Sequence, residues 1–272
     1  MKKNLSFFKY FLIAALLLLS AAGVFFYHQR SLLQDHDTLV SATPIPTDTP
    51  SSPSASFPAP DSPSGRIYPS FEKLLSMPSF HAHTKASIRL RGKLIKGKRK
   101  LVADAFVTGA NDRDNLRLDM TTKTTTHNKT EKSHSTYKDG LYTTENGKEK
   151  SSTKRSPEEV LAMVTFISDI LQDASSQLED MKISSDGSDT IYEFTLPGET
   201  ASYYFSQIIE QASMNTEELK NVTGSVDSLK MTCRVNKKGM LTEQSASASG
   251  EVSKSIFTIP VTLTETTSFK TP

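Results

Sequence analysis

Strict alternation of apolar and polar residues sets the tightest limit on what this chain can fold into. Ala82, Thr84, Ala86, Ile88 and Leu90 occupy every second position, with His83, Lys85, Ser87, Arg89 and Arg91 between them. Leu101, Ala103, Ala105 and Val107 repeat the pattern. Neighbouring side chains on a strand point to opposite faces, so this spacing predicts antiparallel strands with one buried and one solvated face. A Lys96-Gly97-Lys98 turn is expected between the two strands. Leu116, Leu118, Met120 and Thr122 predict a third strand after the polar break at 111–115. Residues 123–137, polar and rich in threonine, read as a solvated continuation or an edge. Lys138-Asp139-Gly140 and Glu145-Asn146-Gly147 are hairpin signals, because tight turns demand left-handed backbone that Asp, Asn and Gly tolerate.

The period changes at Ser156. Ser156-Pro157-Glu158-Glu159 has the form of a capping box with proline at the first helical position. Val160, Met163, Val164, Ile167, Ile170, Leu171, Ala174 and Leu178 then recur at three- and four-residue spacing. The pattern predicts one long amphipathic helix over 157–181. Leu161 and Phe166 lie off its main stripe, more apolar surface than one packed face requires. Tyr192, Phe194 and Leu196 predict a strand ended by Pro197-Gly198, and residues 199–213 a second helix with Phe205 on its packed side. Leu229, Met231, Cys233 and Val235 lead to a hairpin at 236–239, with Ala246 and Ala248 on the return strand. Phe257, Ile259, Val261 and Leu263 predict a final strand, in which Pro260 is tolerable only at an edge or bulge. A short helix over 68–75, with Ser70 as N-cap, opens the series. No βαβ repeat is present, so the class is α+β, a curved antiparallel sheet wrapping the long helix.

The first 66 residues follow other rules. Three lysines precede Phe11–Tyr27, a run of seventeen residues without a charge. A cleaved signal would end near Ser20-Ala21-Ala22, leaving a secreted protein. The apolar run continues through Val24, Phe25, Phe26 and Tyr27, which favours an uncleaved transmembrane anchor over 11–27. The lysines keep the N-terminal side cytoplasmic and place everything beyond His28 outside the membrane. No cysteine follows the Leu-Ser-Ala-Ala stretch, so lipidation is not expected. Proline falls at nearly every third position from Pro44 to Pro63, amid Ser and Thr. Such a segment has too few apolar groups to offset the entropy of ordering and reads as an extended spacer. The organisation is therefore a cytoplasmic stub and anchor over 1–30, a linker over 31–66 and an α+β domain over 67–272.

Chemistry is sparse. A formal net charge of +2, from 32 basic and 30 acidic residues, argues against a nucleic-acid partner. One cysteine, Cys233 on an apolar strand face, excludes a disulfide framework and reads as a buried inert thiol. His81 and His83 share a strand face with no acid beside them, and His127 and His134 lie in a polar stretch. Surface histidines are favoured over a metal site, which needs three or four converging ligands. Asp186-Gly187-Ser188-Asp189 lacks the remaining ligands of a calcium loop and reads as a turn. No nucleophile elbow, phosphate-binding loop or dinucleotide fingerprint occurs, so neither catalytic residues nor a cofactor is expected. Arg89, Arg91, Lys93, Lys96, Lys98, Arg99 and Lys100 form a basic run without an acid. Its plain reading is a solvated hairpin; the sharper one is contact with anionic lipid head groups or wall polymer.

The element order, with the hairpin Tyr137-Lys138-Asp139-Gly140-Leu141-Tyr142 and the following Gly147-Lys148, resembles the LolA/LppX/RseB-like superfamily, in particular Gram-positive surface lipoproteins of that fold. The resemblance spans about residues 68–272. It implies an open β half-barrel with helices across its concave face, where members bind lipids or lipoprotein acyl chains or sense envelope stress. This chain departs from the pattern in lacking the lipobox cysteine; a tether in its place argues against a shuttling carrier. The expected ligand contacts are Leu161, Val164, Phe166, Ile167, Ile170, Leu171 and Phe205. The competing expectation is a structural protein of the envelope that docks another protein or a wall polymer and holds no small ligand.

Overall fold

The computed structural model describes residues 63–91, 96–126, 129–173, 179–203, 205, 222–254 and 257–272. The chain opens with helix α1 (Pro63–Leu75), which begins within the segment assigned to the linker. Proline suits a first helical turn, where its missing N–H has no partner to lose. Ile67, Phe71 and Leu74 form its buried stripe. Ser70 is inside the helix rather than at its cap, its hydroxyl donating to Ile67 O at 2.6 Å.

Six strands follow: β1 (Ser79–Arg91), β2 (Lys96–Thr108), β3 (Arg117–Thr126), β4 (Lys129–Lys138), β5 (Leu141–Asn146) and β6 (Glu149–Lys154). Two helices, α2 (Pro157–Ala162) and α3 (Phe166–Asp173), then precede β7 (Glu179–Asp186), β8 (Asp189–Pro197), β9 (Val222–Val235), β10 (Leu241–Lys254) and β11 (Phe257–Lys270). All eleven strands form one open, curved antiparallel sheet in the order β6-β5-β4-β3-β2-β1-β11-β10-β9-β8-β7. Each half is a meander of neighbours in sequence. The halves meet at the centre, where His81 to Leu90 pair with Lys270 to Val261, and α2 and α3 lie in the connection from one edge strand to the other.

Several expectations are corrected. Lys96-Gly97-Lys98 is not a turn: Gly97 pairs with Leu90 and Lys98 with Arg89, within β2. Residues 123–137 contain the end of β3 and most of β4, two interior strands paired from Leu118↔Tyr137 to Thr126↔Lys129. Pro260 belongs to the central strand β11 but lies one residue beyond Val261, the last partner of β1. On its other side Pro260 is paired with Glu251 of β10. The Asp-Gly turn is as expected, with Asp139 at φ 52° and Gly140 at φ 77°. Tyr137 and Tyr142 face each other across it, and the buried Tyr137 hydroxyl donates to Arg155 O at 3.2 Å, tying the hairpin to the start of α2.

The long helix is the largest correction. The Ser156–Glu159 capping box forms in both directions, but the helix stops at Ala162 and a second one starts at Phe166. At the break the Thr165 hydroxyl joins its own N–H in donating to Leu161 O at 3.0 Å, while Val164 N–H and Ser168 N–H make tighter three-residue bonds to Leu161 O and Thr165 O at 3.0 and 2.9 Å. A β-branched residue that bonds back to its own turn competes with helix continuation. The Val164 carbonyl, released from the helical ladder, accepts from Gln244 Nε2 of β10 at 2.8 Å. Residues 179–181, expected at the helix end, are strand, and Ala174 and Leu178 lie outside the described residues.

Two bulges keep the apolar residues of β9 and β10 on one face, with register shifts between Leu241 and Glu243 and between Ser249 and Gly250. At the second, Ser202 takes over the backbone of Val226, accepting from its N–H at 2.9 Å and donating to its carbonyl at 3.0 Å. Gly250 packs so closely there that a Cβ would stand 2.0 Å from Ser225 O. Gly250→Ala is expected to destabilise the fold by about 2 kcal/mol, as overpacking against fixed backbone does. A lower denaturation midpoint with an unchanged slope would show it, and an unaltered midpoint would refute the bulge packing.

Candidate functional site

The sheet has one buried face, and what lies on it follows from strand register. On β1 it carries Phe80, Ala82, Thr84, Ala86, Ile88 and Leu90; on β11, Ile259, Val261, Leu263, Glu265, Thr267 and Phe269. Small side chains recur across this inner face, with Ala82 opposite Ala105, Ala103 on β2, and Ala246 and Ala248 on β10. Pairing runs Arg99–Ile88–Leu263 across β2, β1 and β11, and Leu101–Ala86–Glu265–Ala246 one row away.

Three polar residues are sunk into this apolar surface. Arg99 and Glu265 are each 4% exposed and Gln244 is fully buried. Arg99 Nε and Nη1, Gln244 Oε1 and Glu265 Oε2 have no hydrogen-bond partner among the described residues. Thr267, beside Glu265 on the same face, is satisfied by the Thr84 hydroxyl at 2.9 Å. Burial lowers the Arg99 guanidinium to about 10, with the charge of Glu131 opposing the shift. Arg99 therefore stays charged at neutral pH. Glu131 is itself held by Lys129 Nζ at 2.6 Å. Burial alone pushes the Glu265 carboxyl up to about 8, so it is largely uncharged at neutral pH. An uncompensated buried cation costs several kcal/mol, and an orphaned buried carbonyl or hydroxyl about 1–3 kcal/mol.

Of the residues expected to contact a ligand, Leu161, Val164, Phe166, Ile167, Ile170 and Leu171 are all buried in the core that joins helices to sheet. Leu161 and Phe166, off the stripe in sequence, are 3% and 6% exposed, so the broken helix buries both sides of itself. Phe205 packs half-buried against that core, its ring so close to Gly224 that a Cβ there would stand 2.3 Å from it.

The basic run divides by register. Arg89, Arg91, Lys98 and Lys100 are exposed on the outer face, with Arg89 opposite Lys98. Lys96 pairs through its backbone with Arg91, and Lys93 lies outside the described residues. Arg99 departs from the solvated hairpin and points inward, because it alternates with Leu101 and Ala103. Arg99, Gln244 and Glu265 are the residues the sequence reading missed as inner-face groups. The signal was the alternation itself, continued one step before Leu101 and one step past Leu263.

The remaining candidates resolve into local pairs. His83 does have an acid beside it, with Nδ1 2.5 Å from Asp104 Oδ1 on the neighbouring strand. His134 Nε2 lies 3.1 Å from Asp119 Oδ1, and His81 stacks on Phe106 at 4.4 Å. His127 is outside the described residues. Among the described residues no three His, Cys, Asp or Glu side chains converge. Cys233 is fully buried, and burial raises its thiol well above the ordinary range. Asp186 and Asp189 both face Arg234, at 2.8 and 3.6 Å, which accounts for the acidic turn.

No protein-family description matches this chain, and no curated protein does. Among solved structures, LprF from Mycobacterium bovis is similar at 13% identity, covering 76% of this chain and 93% of its own, with a TM-score of 0.37. Rv2717c from M. tuberculosis is similar at 11% identity, covering 75% and 98%, with a TM-score of 0.23. A putative outer membrane lipoprotein-sorting protein domain from Vibrio parahaemolyticus is similar at 6% identity, covering 76% and 92%, with a TM-score of 0.27. Likeness at this level carries no functional argument, and the fold stands on its strand register.

Glu265 gives stability a definite dependence on pH. The unfolded chain releases this proton near the ordinary value of 4.5, whereas the folded chain keeps it to about 8. Within that window the folded state binds more protons, so this group makes stability fall as pH rises. Glu265→Gln removes the effect. The melting-temperature difference, variant minus parent, is expected to grow from about pH 5 to about pH 8 and then level off. A difference that stays constant with pH would exclude a buried, neutral carboxyl.

Proposed function

We propose that this chain is a membrane-tethered, extracytoplasmic binding module for a lipid, acyl or other hydrophobic ligand in a bacterial cell envelope. One observation carries the reading: Arg99, Gln244 and Glu265 are more than nine-tenths buried on a face rich in alanine, yet four of their polar atoms lack partners among the described residues. A core closed entirely by its own side chains has no reason to retain such groups. The helices lie over the same face, through Gln244 and Val164, in the arrangement that resemblance to LolA/LppX/RseB-like proteins implies. Small residues beneath a helical cover are what a guest chain requires, since each alanine leaves room that a leucine would fill. The tether rests on the charge-free run from Phe11 to Tyr27 and the lysines before it, which lie outside the described residues. The motif inventory supports no reaction, so binding rather than catalysis is proposed.

A second reading has its own support. Leu161 and Phe166 are buried rather than left lining an open groove, as expected of an envelope protein whose inner face is filled from within and whose partners dock outside.

Native mass spectrometry of the full chain, extracted gently and held in amphipol, separates the two. The binding module is expected to carry lipid of defined mass and, once stripped, to melt higher when an acyl ligand is restored. No retained lipid and no thermal gain with any acyl compound would favour the docking protein. Alkaline carbonate extraction tests the tether separately: the anchored chain stays with the membrane pellet, and release into the supernatant would indicate a cleaved segment.

A further inference from the structure

On the binding-module reading, we propose that Arg99 recognises the head of the ligand, which is therefore an amphiphile with an anionic oxygen head, a carboxylate or a phosphate. Arg99 sits at a boundary on the inner face. Its β1 neighbours Ile88 and Leu90, with Val261 and Leu263 of β11, are buried and apolar. On its other side β3 and β4 bring Thr124 and Glu131 to the same face. A guanidinium so placed has a greasy floor to one side and a polar strip to the other, the layout of a molecule with a tail and a charged end. Its Nε and Nη1 are both buried and unpartnered among the described residues, and a guanidinium holds a carboxylate or phosphate through short charge-assisted N–H bonds. The inner-face carboxylates do not satisfy it: Glu131 is held by Lys129, and Glu265 lies in the next row, two strands away. The site therefore presents a desolvated positive charge in need of a counter-charge, beside a surface suited to a hydrocarbon chain.

The test uses the full chain in phosphatidylcholine vesicles with two photoactivatable probes, a diazirine palmitic acid and the matching alcohol. Labelled peptides are mapped by mass spectrometry, with labelling elsewhere in the chain as internal reference. The acid is expected to label β1, β2 and β11 about tenfold more than the alcohol, the factor a charge-assisted hydrogen bond supplies. Arg99→Gln should bring that ratio to about one while leaving labelling by the alcohol in place, since the tail contacts are untouched. Arg99→Lys, which keeps the charge and loses the fork, should retain part of the preference even if the glutamine variant folds poorly. Unlabelled palmitate and dodecyl phosphate should both displace the acid probe, and inorganic phosphate should not. Equal labelling by acid and alcohol in the parent, or an unchanged ratio in Arg99→Gln, would overturn the anionic head while leaving hydrophobic binding intact. Displacement by inorganic phosphate as effectively as by palmitate would also overturn it, by showing a bare anion site. Absence of labelling of these strands by both probes would instead remove the binding module itself.

Discussion

Every described strand contributes to one sheet, and among the described residues only one face of that sheet is covered. Because side chains alternate along a strand, each residue's parity decides whether it meets water or the core. The constraint is rigid enough that the chain uses two bulges to restore it. An extra residue at Thr242 moves the inward set from Leu241 to Gln244, and another at Asp227 moves it from Leu229 to Val226. Without these shifts half of β9 and of β10 would turn its apolar side chains outward. The same parity holds Arg99 and Glu265 inside. Neither can reach water without slipping a strand by one residue, which would expose every neighbour on its side.

The helices depend on the sheet rather than the reverse. A six-residue helix such as α2 has too few internal hydrogen bonds to persist alone. Its capping box sets where it begins, the Tyr137 hydroxyl holds the segment just before it, and Gln244 receives the carbonyl set free where it ends. Gln244 meets only half of its own demand in doing so, since Oε1 is left over. The inner face is thus buried under the helices and, among the described residues, unsatisfied at a few polar points. Both readings of its function rest on that combination.

Strands were the most legible part of the sequence, because a half-buried antiparallel sheet writes its exposure directly into alternation. Hairpins at Asp139-Gly140 and at 236–239 were legible for the same local reason, the backbone demands of a tight turn. What could not be read depended on distant residues. The apolar stripe from Val160 to Leu171 is continuous and promised a single helix; the break relies on a glutamine some eighty residues later to stabilise the freed carbonyl. The end of β3 and all of β4 were obscured by threonines and other polar residues, which suit an interior strand and a solvated edge equally well. The inward charges were not legible because a charged residue at the end of an alternating run is ordinarily solvated. Arg99 adjoins six exposed or unplaced basic residues in sequence and differs from them only in parity.

The junction of β1 with β11 has a temporal meaning. These strands are the heart of the sheet, yet nine others are synthesised between them. Each meander can gather its own hairpins early, since those contacts are local. The seam between the two halves closes only after the most distal strand has emerged, across a long loop and at a corresponding entropic cost. Until then the chain is two partial sheets with an exposed apolar edge between them, unable to lock. On the proposed extracytoplasmic reading, this order of assembly delays completion until passage through the membrane is nearly done.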